Sequence, residues 1–150
     1  MSKLVVVAGG WDPVHAGHIA HLRDAKRLAG KLGRLIVITH TDEMMVRKKG
    51  YCFLPLAERL EILGAIRWVN KMVVAEELGD NDGTVIRSLE ALRPDIFAKG
   101  GDRLEHNMPE VELALCQRLG IQIVYGVGGG KIQSSSELVR RMREKARSGT

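Results

Sequence analysis

Residues Gly9-Gly10-Trp11-Asp12-Pro13-Val14-His15-Ala16-Gly17-His18 follow directly on the apolar run 4–8. Two imidazoles three positions apart share one face of a helix, so His15 and His18 can address a single ligand from the start of a helix opening here. Free backbone N–H groups and the positive end of the helix dipole favour an anion at such a place. Gly17, between the histidines, removes a side chain where a phosphate would approach. The chemistry this permits is the holding of a polyphosphate. The plainer alternative is a tight strand-to-helix turn with two surface histidines, which Pro13 near the helix start would serve as well. The glycines, Asp12 and the strand–turn–helix setting together favour a site. A dinucleotide fingerprint is excluded, because no Gly-x-Gly-x-x-Gly follows the strand. His15 and His18 would supply only two zinc ligands, with no third obviously placed.

Three further segments carry chemistry. Lys99-Gly100-Gly101-Asp102 pairs glycines that let a ligand approach the backbone with an aspartate that can accept hydrogen bonds from a ribose or base. The alternative is a turn whose aspartate caps local N–H groups. Gly128-Gly129-Gly130-Lys131-Ile132-Gln133-Ser134-Ser135-Ser136 opens the last helix, where serine hydroxyls and helix N–H groups can bind β- and γ-phosphates. Ser134 and Glu137 also have capping-box spacing, so one serine can cap while the others face a ligand. A P-loop is excluded, since Ile132 follows Lys131 in place of Ser or Thr and the glycine spacing is one short. Arg47-Lys48-Lys49-Gly50 reads as a basic loop able to close over phosphates and stabilise developing charge, with ordinary solvated charge as the alternative.

These residues need a scaffold, and the chain supplies alternating elements. Strand-like runs cover residues 4–8, 35–39, 71–75, 95–98 and 121–125. Helical patterns cover 16–30, 56–69, 84–92, 109–119 and 136–146, with Ile19, Leu22, Ala25 and Leu28 spaced along the first. Asp80-Asn81-Asp82-Gly83 reads as a turn with an N-cap rather than a metal loop. The alternation predicts an α/β fold: a single-domain, doubly wound parallel sheet, Rossmann-like, in strand order 3-2-1-4-5. Ligands of such sheets bind beyond the carboxyl ends of the strands, where strand order reverses. That order brings the loops after strands one, four and five to one crevice.

Composition bounds the rest. One hundred and fifty residues suit one domain, 1–150, with a core that needs no staples. The net charge of +5 suits anionic partners. Much of it sits in Arg140, Arg141, Arg143, Lys145 and Arg147, as on a solvated terminal helix. An aromatic content of 4% argues against base-stacking platforms, and no nucleic-acid partner is expected. Cys52 and Cys116 match no metal spacing or disulfide framework and read as reduced thiols. With a strand at the start and no apolar run of spanning length, neither signal peptide nor membrane segment is expected, and the expected location is cytoplasmic.

At these motifs the chain resembles the nucleotidyltransferases with a His-x-Gly-His signature, the cytidylyltransferase-like superfamily. Their usual first motif is Gly-x-Phe-Asp-x-x-His-x-Gly-His. Trp11 stands in the Phe position, while Asp12, His15, Gly17 and His18 match. Gln133-Ser134-Ser135-Ser136 takes the place of their third motif, and Pro55-Leu56-Ala57-Glu58-Arg59 resembles their Pro-x-x-x-Arg helix opening. The adenylyltransferase domain of heptose-1-phosphate enzymes also carries Lys-Gly-Gly-Asp after its fourth strand. Glycerol-3-phosphate cytidylyltransferases are similar in size, but an arginine of theirs falls at Gly129 here.

The resemblance implies transfer of a nucleoside monophosphate from ATP or CTP to a phosphorylated sugar or polyol, with release of pyrophosphate. A flavin or pantetheine phosphate is the alternative acceptor, and a nucleotide-sensing module without turnover is the non-enzymatic reading. The Lys-Gly-Gly-Asp segment leans toward ATP. By resemblance His15, His18, Lys49 and Asp12 are catalytic. Gly9, Gly10, Trp11, Gly17, Lys99, Gly100, Gly101, Asp102, Ser134, Ser135 and Ser136 bind the nucleotide, and Arg47 and Lys48 the acceptor. A Mg²⁺ ion held mostly by substrate phosphates, with Asp12 as its candidate protein ligand, and a homodimer are also implied.

Overall fold

The computed structural model describes residues 2–76, 84–101, 103–130 and 133–149. Five strands form one parallel sheet: β1 (Leu4–Gly9), β2 (Arg34–Thr39), β3 (Lys71–Val74), β4 (Ile96–Ala98) and β5 (Gln122–Val124). Their order is β3-β2-β1-β4-β5, the reversal expected from the alternation. β1 is central, with Val6 paired to Ile36 on one side and Phe97 on the other.

Successive strand side chains point to opposite faces, and the core divides accordingly. Val5 and Val7 pack with Leu22, Ala25 and Ala29 of helix α1 (Ala16–Ala29) and Leu63 of α3 (Leu56–Gly64). Val6 packs on the other face with Leu89 of α4 (Ile86–Leu92) and Leu115 and Cys116 of α5 (Glu110–Leu119). Valines 5 to 7 are wholly inaccessible, as a strand covered on both faces requires.

Several elements differ from the sequence expectation. The segment read as a basic loop is the last turn of helix α2 (Asp42–Lys49). Thr41 Oγ1 caps its start by accepting the Met44 N–H at 3.2 Å, and Gly50 ends it in the left-handed region. Arg47, Lys48 and Lys49 thus sit at the negative end of a helix dipole. The α3 helix stops five residues before the expected end at 69, giving way to turns in which Ile66 N–H bonds Leu63 O and Val69 N–H bonds Ile66 O. A short 3₁₀ turn, Glu105–Asn107, precedes α5. The last helix, α6 (Ser135–Ser148), starts one residue earlier than expected. The turn cluster Asp80–Gly83 lies outside the described residues, as do Asp102, Lys131 and Ile132.

One side chain organises the loops above β1 and β2. The fully buried Arg59 donates from Nε to Leu54 O (2.9 Å), from Nη1 to Gly10 O (3.0 Å), Thr39 Oγ1 (2.9 Å) and His40 O (2.8 Å), and from Nη2 to Asp42 Oδ1 (2.7 Å). Its bond holds the Asp42 carboxyl below the ordinary range. Replacing a buried, fully bonded charge leaves its acceptors orphaned. Arg59→Met is therefore expected to lose about 3–5 kcal/mol of stability by urea unfolding. A loss below about 1 kcal/mol would remove Arg59 from this organising role.

Candidate active site

Helix α1 opens with an unusual cap. His15 is its N-cap, extended at φ −141° and ψ 178°. His15 Nδ1 accepts the Gly17 N–H at 3.1 Å, and His18 Nδ1 accepts the His15 N–H at 3.2 Å. Two imidazoles thus form the reciprocal cap usually made by Ser or Thr with Glu. A ring nitrogen that accepts carries no proton, so each neutral ring holds its proton on Nε2. The rings stack with centroids 3.8 Å apart, and Trp11 lies 4.9 Å from the His18 ring.

Electrostatics keep this pair neutral. Burial lowers the His15 pKa, helped by Lys49. Burial pushes His18 down to about 3, with His15, His21 and Lys49 acting in the same direction. The result is two Nε2–H donors for an incoming oxyanion.

They line a cavity of about 390 Å³ at the carboxyl ends of β1 and β4. Ala8, Gly9 and Trp11 come from the end of β1 and the turn after it. Gly17 comes from α1, and Lys99, Gly100 and Gly101 from the end of β4. The first turn of α6 closes the far side with Ser134, Ser135 and Ser136. The first N–H groups of a helix lack intrahelical acceptors, so two helix N-termini share one cavity and favour an anion there. Lys49 stands at the rim, its pKa lowered chiefly by desolvation against the pull of Asp12. Burial pushes Lys99 down to about 8, with Glu112 opposing the shift. Its ammonium lies 4.5 Å from the Phe97 ring centroid.

The expected site residues divide on inspection. His15, His18, Lys49, Gly9, Trp11, Gly17, Lys99, Gly100, Gly101 and the three serines line the cavity. Asp12 does not. It is fully buried, and its carboxylate accepts Phe53 N–H at 2.7 Å and Leu54 N–H at 2.6 Å. Both oxygens are thus turned to the backbone, a structural use that the motif alone does not reveal. Gly10 is also outside the lining, with its carbonyl held by Arg59 and its Cα against Met45. Arg47 and Lys48 are exposed on the last turn of α2, outside the lining. Ser134 caps α6 by accepting Glu137 N–H at 3.3 Å, and Ser135 donates its hydroxyl proton to Pro13 O at 2.8 Å. Ser136 is exposed. Asp102 lies outside the described residues.

Sequence reasoning missed His21 and Arg103, which also line the cavity, and named Gln133, another lining residue, only as part of the third motif. The signal for His21 was available: it sits three residues past His18, on the same helix face.

Residues 6–141 match the cytidylyltransferase-like family. The FAD synthase of Korarchaeum cryptofilum is 38% identical over 144 residues, covering 95% of this chain and 92% of that protein. The bifunctional protein HldE of Streptomyces coelicolor is 36% identical over 146 residues, covering 95% of this chain and 29% of that protein. A solved structure, the lipopolysaccharide core biosynthesis protein from Thermoplasma volcanium, superimposes with a TM-score of 0.63 at 26% identity, covering 82% of this chain and 93% of that one. The chain belongs to the cytidylyltransferase-like family. It is a nucleotidyltransferase, and the resemblance expected from its motifs extends along nearly the whole fold.

Two outcomes follow for His18. His18→Ala removes a donor and a cap bond. It is expected to lower turnover by about two orders of magnitude or more in a pyrophosphate-release assay, while costing only about 1 kcal/mol of stability. Unchanged release would overturn the donor role. An unfolded chain protonates this imidazole near pH 6.5, whereas the folded chain does so only at about 3. Its contribution to stability is therefore full above the unfolded value and declines as pH falls toward the folded one. Urea unfolding is expected to show a smaller drop between about pH 7.5 and about pH 5 in His18→Ala than in the wild type. Equal drops would contradict the buried neutral ring.

Proposed function

We propose that this protein transfers AMP from ATP to the phosphate of a flavin mononucleotide. The observation that carries transfer is the pair of backbone-anchored, neutral imidazoles at the mouth of a cavity shared by two helix N-termini and two lysines. An acceptor phosphate oxygen attacks the α-phosphorus, the bond from that phosphorus to the oxygen bridging it to the β-phosphorus breaks, and pyrophosphate leaves. The acceptor is already an anion, so no protein nucleophile is needed. Catalysis is positioning and charge stabilisation. The Nε2–H groups of His15 and His18 donate to phosphate oxygens whose charge grows in the transition state. Lys49 balances charge at the rim, and the first turn of α6, with Ser134 and Ser136, receives the departing pyrophosphate.

Asp12 does not fit a Mg²⁺ ligand at this cavity, because it is fully buried outside the lining with both oxygens accepting backbone N–H groups. Among the described residues, no group of three His, Cys, Asp or Glu side chains is placed to hold a metal. Any Mg²⁺ here is a counter-ion of the nucleotide, held by phosphates and water.

The flavin acceptor is supported by the likeness to FAD synthase, which extends over 92% of that relative's length. A phosphorylated sugar is the second reading. It is favoured by the likeness to HldE and by a lining in which, among the described residues, the single Phe, Tyr or Trp is Trp11, only 3% exposed. That leaves little ring surface in the cavity for a flavin to stack on.

Crossing ATP and CTP with flavin mononucleotide and a panel of sugar phosphates decides between them. The expected result is FAD and pyrophosphate in equal amounts from ATP and flavin mononucleotide, read by chromatography. Pyrophosphate released only with a sugar phosphate would replace the flavin by the second reading. Release only with CTP would overturn adenylyl transfer.

A further inference from the structure

His21 joins three loops that the mechanism uses separately. Its Nδ1 lies 2.7 Å from Val127 O. A carbonyl oxygen only accepts, so this nitrogen carries the ring proton, the opposite tautomer to His15 and His18. Val127 is held on its other side as well, its N–H donating to Lys99 O at 2.9 Å. A continuous path therefore runs from α1 through the loop after β5 to the end of β4. The Trp11 ring, from the turn after β1, stacks on His21 with centroids 6.3 Å apart.

The neighbouring glycines are shaped around the same residue. A Cβ on Gly100 would stand 2.7 Å from His21 Nδ1 and 2.9 Å from Val127 O. One on Gly128 would stand 2.7 Å from His21 Cα and 2.8 Å from its backbone N. Gly128 also has φ +101°, which disfavours any side chain. The glycines of these two loops thus have a steric reason as well as a ligand-binding one. They let both loops close down on α1 at His21.

We propose that His21 is a positioning residue for the nucleotide. By holding the Val127 carbonyl and seating Gly100 and Gly128 against α1, it fixes the loops after β4 and β5. It thereby sets nucleotide affinity rather than the rate of nucleotidyl transfer. The division follows from hydrogen bonding: His15, His18 and Lys49 serve the phosphates, whereas His21, in the same lining, commits its Nδ1 proton to the Val127 carbonyl. The proposal rests on nucleotidyl transfer and is independent of which acceptor is used.

Two variants separate the ring from its N–H. His21→Phe keeps an aromatic ring for Trp11 and loses the donor. His21→Asn keeps a side-chain N–H near the Nδ1 position and loses the ring. Calorimetry with Mg-ATP and Mg-CTP is expected to show binding weakened roughly fivefold or more in His21→Phe, the worth of about one hydrogen bond, and substantially recovered in His21→Asn. Turnover at saturating nucleotide is expected to stay within about twofold of wild type in both. Wild-type affinity in His21→Phe, equal weakening in both variants, or a fall in saturated turnover at unchanged affinity would each overturn the proposal. A wild-type protein that binds neither nucleotide would overturn the transfer reading itself, and this proposal with it. If the variants do not fold, ¹⁵N spectra of the wild-type imidazoles decide. A proton on Nδ1 of His21 is expected, and one on Nε2 there would overturn the proposal.

Discussion

A buried guanidinium has to be satisfied on every side, and that requirement shapes the upper rim of this molecule. Arg59 meets main-chain carbonyls at Gly10, His40 and Leu54 and the carboxylate of Asp42. These acceptors come from the turn after β1, the turn after β2, the segment before α3 and the first turn of α2. An uncompensated charge in the interior is far more costly than any rearrangement of a surface loop. The four segments therefore have one mutual arrangement. Asp12 reinforces it by taking two N–H groups from the same 53–54 segment. Lys49, seven residues along α2 from Asp42, reaches the cavity rim because its helix is anchored at that end.

Within this frame, residues that line the cavity double as structural ones. The imidazoles that face the cavity cap α1. Ser134 caps α6, and Ser135 ties that helix to the Pro13 carbonyl. In the cavity, burial disfavours charge on His15, His18, Lys49 and Lys99 alike. A polyphosphate entering it supplies the opposite charge and favours the protonated forms of the two lysines.

The fold was legible because its signals are strong and local: β-branched runs alternate with helical spacing, and glycines mark the turns between them. The strand order and the convergence of three loops followed from that alternation. The cavity lining was legible where spacing puts two side chains on one face, as at His15 and His18. It was not where identity and role part company. Arg47-Lys48-Lys49-Gly50 reads as a loop because charges and a glycine dominate it, yet the Thr41 cap and buried Met44 and Met45 make it helical. Asp12 matches a functional motif, but only tertiary contacts show its oxygens turned to the 53–54 backbone. His21 carried a spacing signal whose partner, Val127, lies 106 residues away, a distance that periodicity cannot bridge.

The double duty of His15 and His18 has an evolutionary consequence. In many enzymes a copy that loses its reacting groups keeps its fold and can drift into another role. Here each imidazole closes the first turn of α1, so drift at either position erodes folding, whatever it does to activity. Marginal stability turns such losses into lower cellular abundance. Inert duplicates of this chain would therefore be purged at two levels. Those that survive should carry another capping residue at these positions, a signature that separates retired copies from working ones by sequence alone.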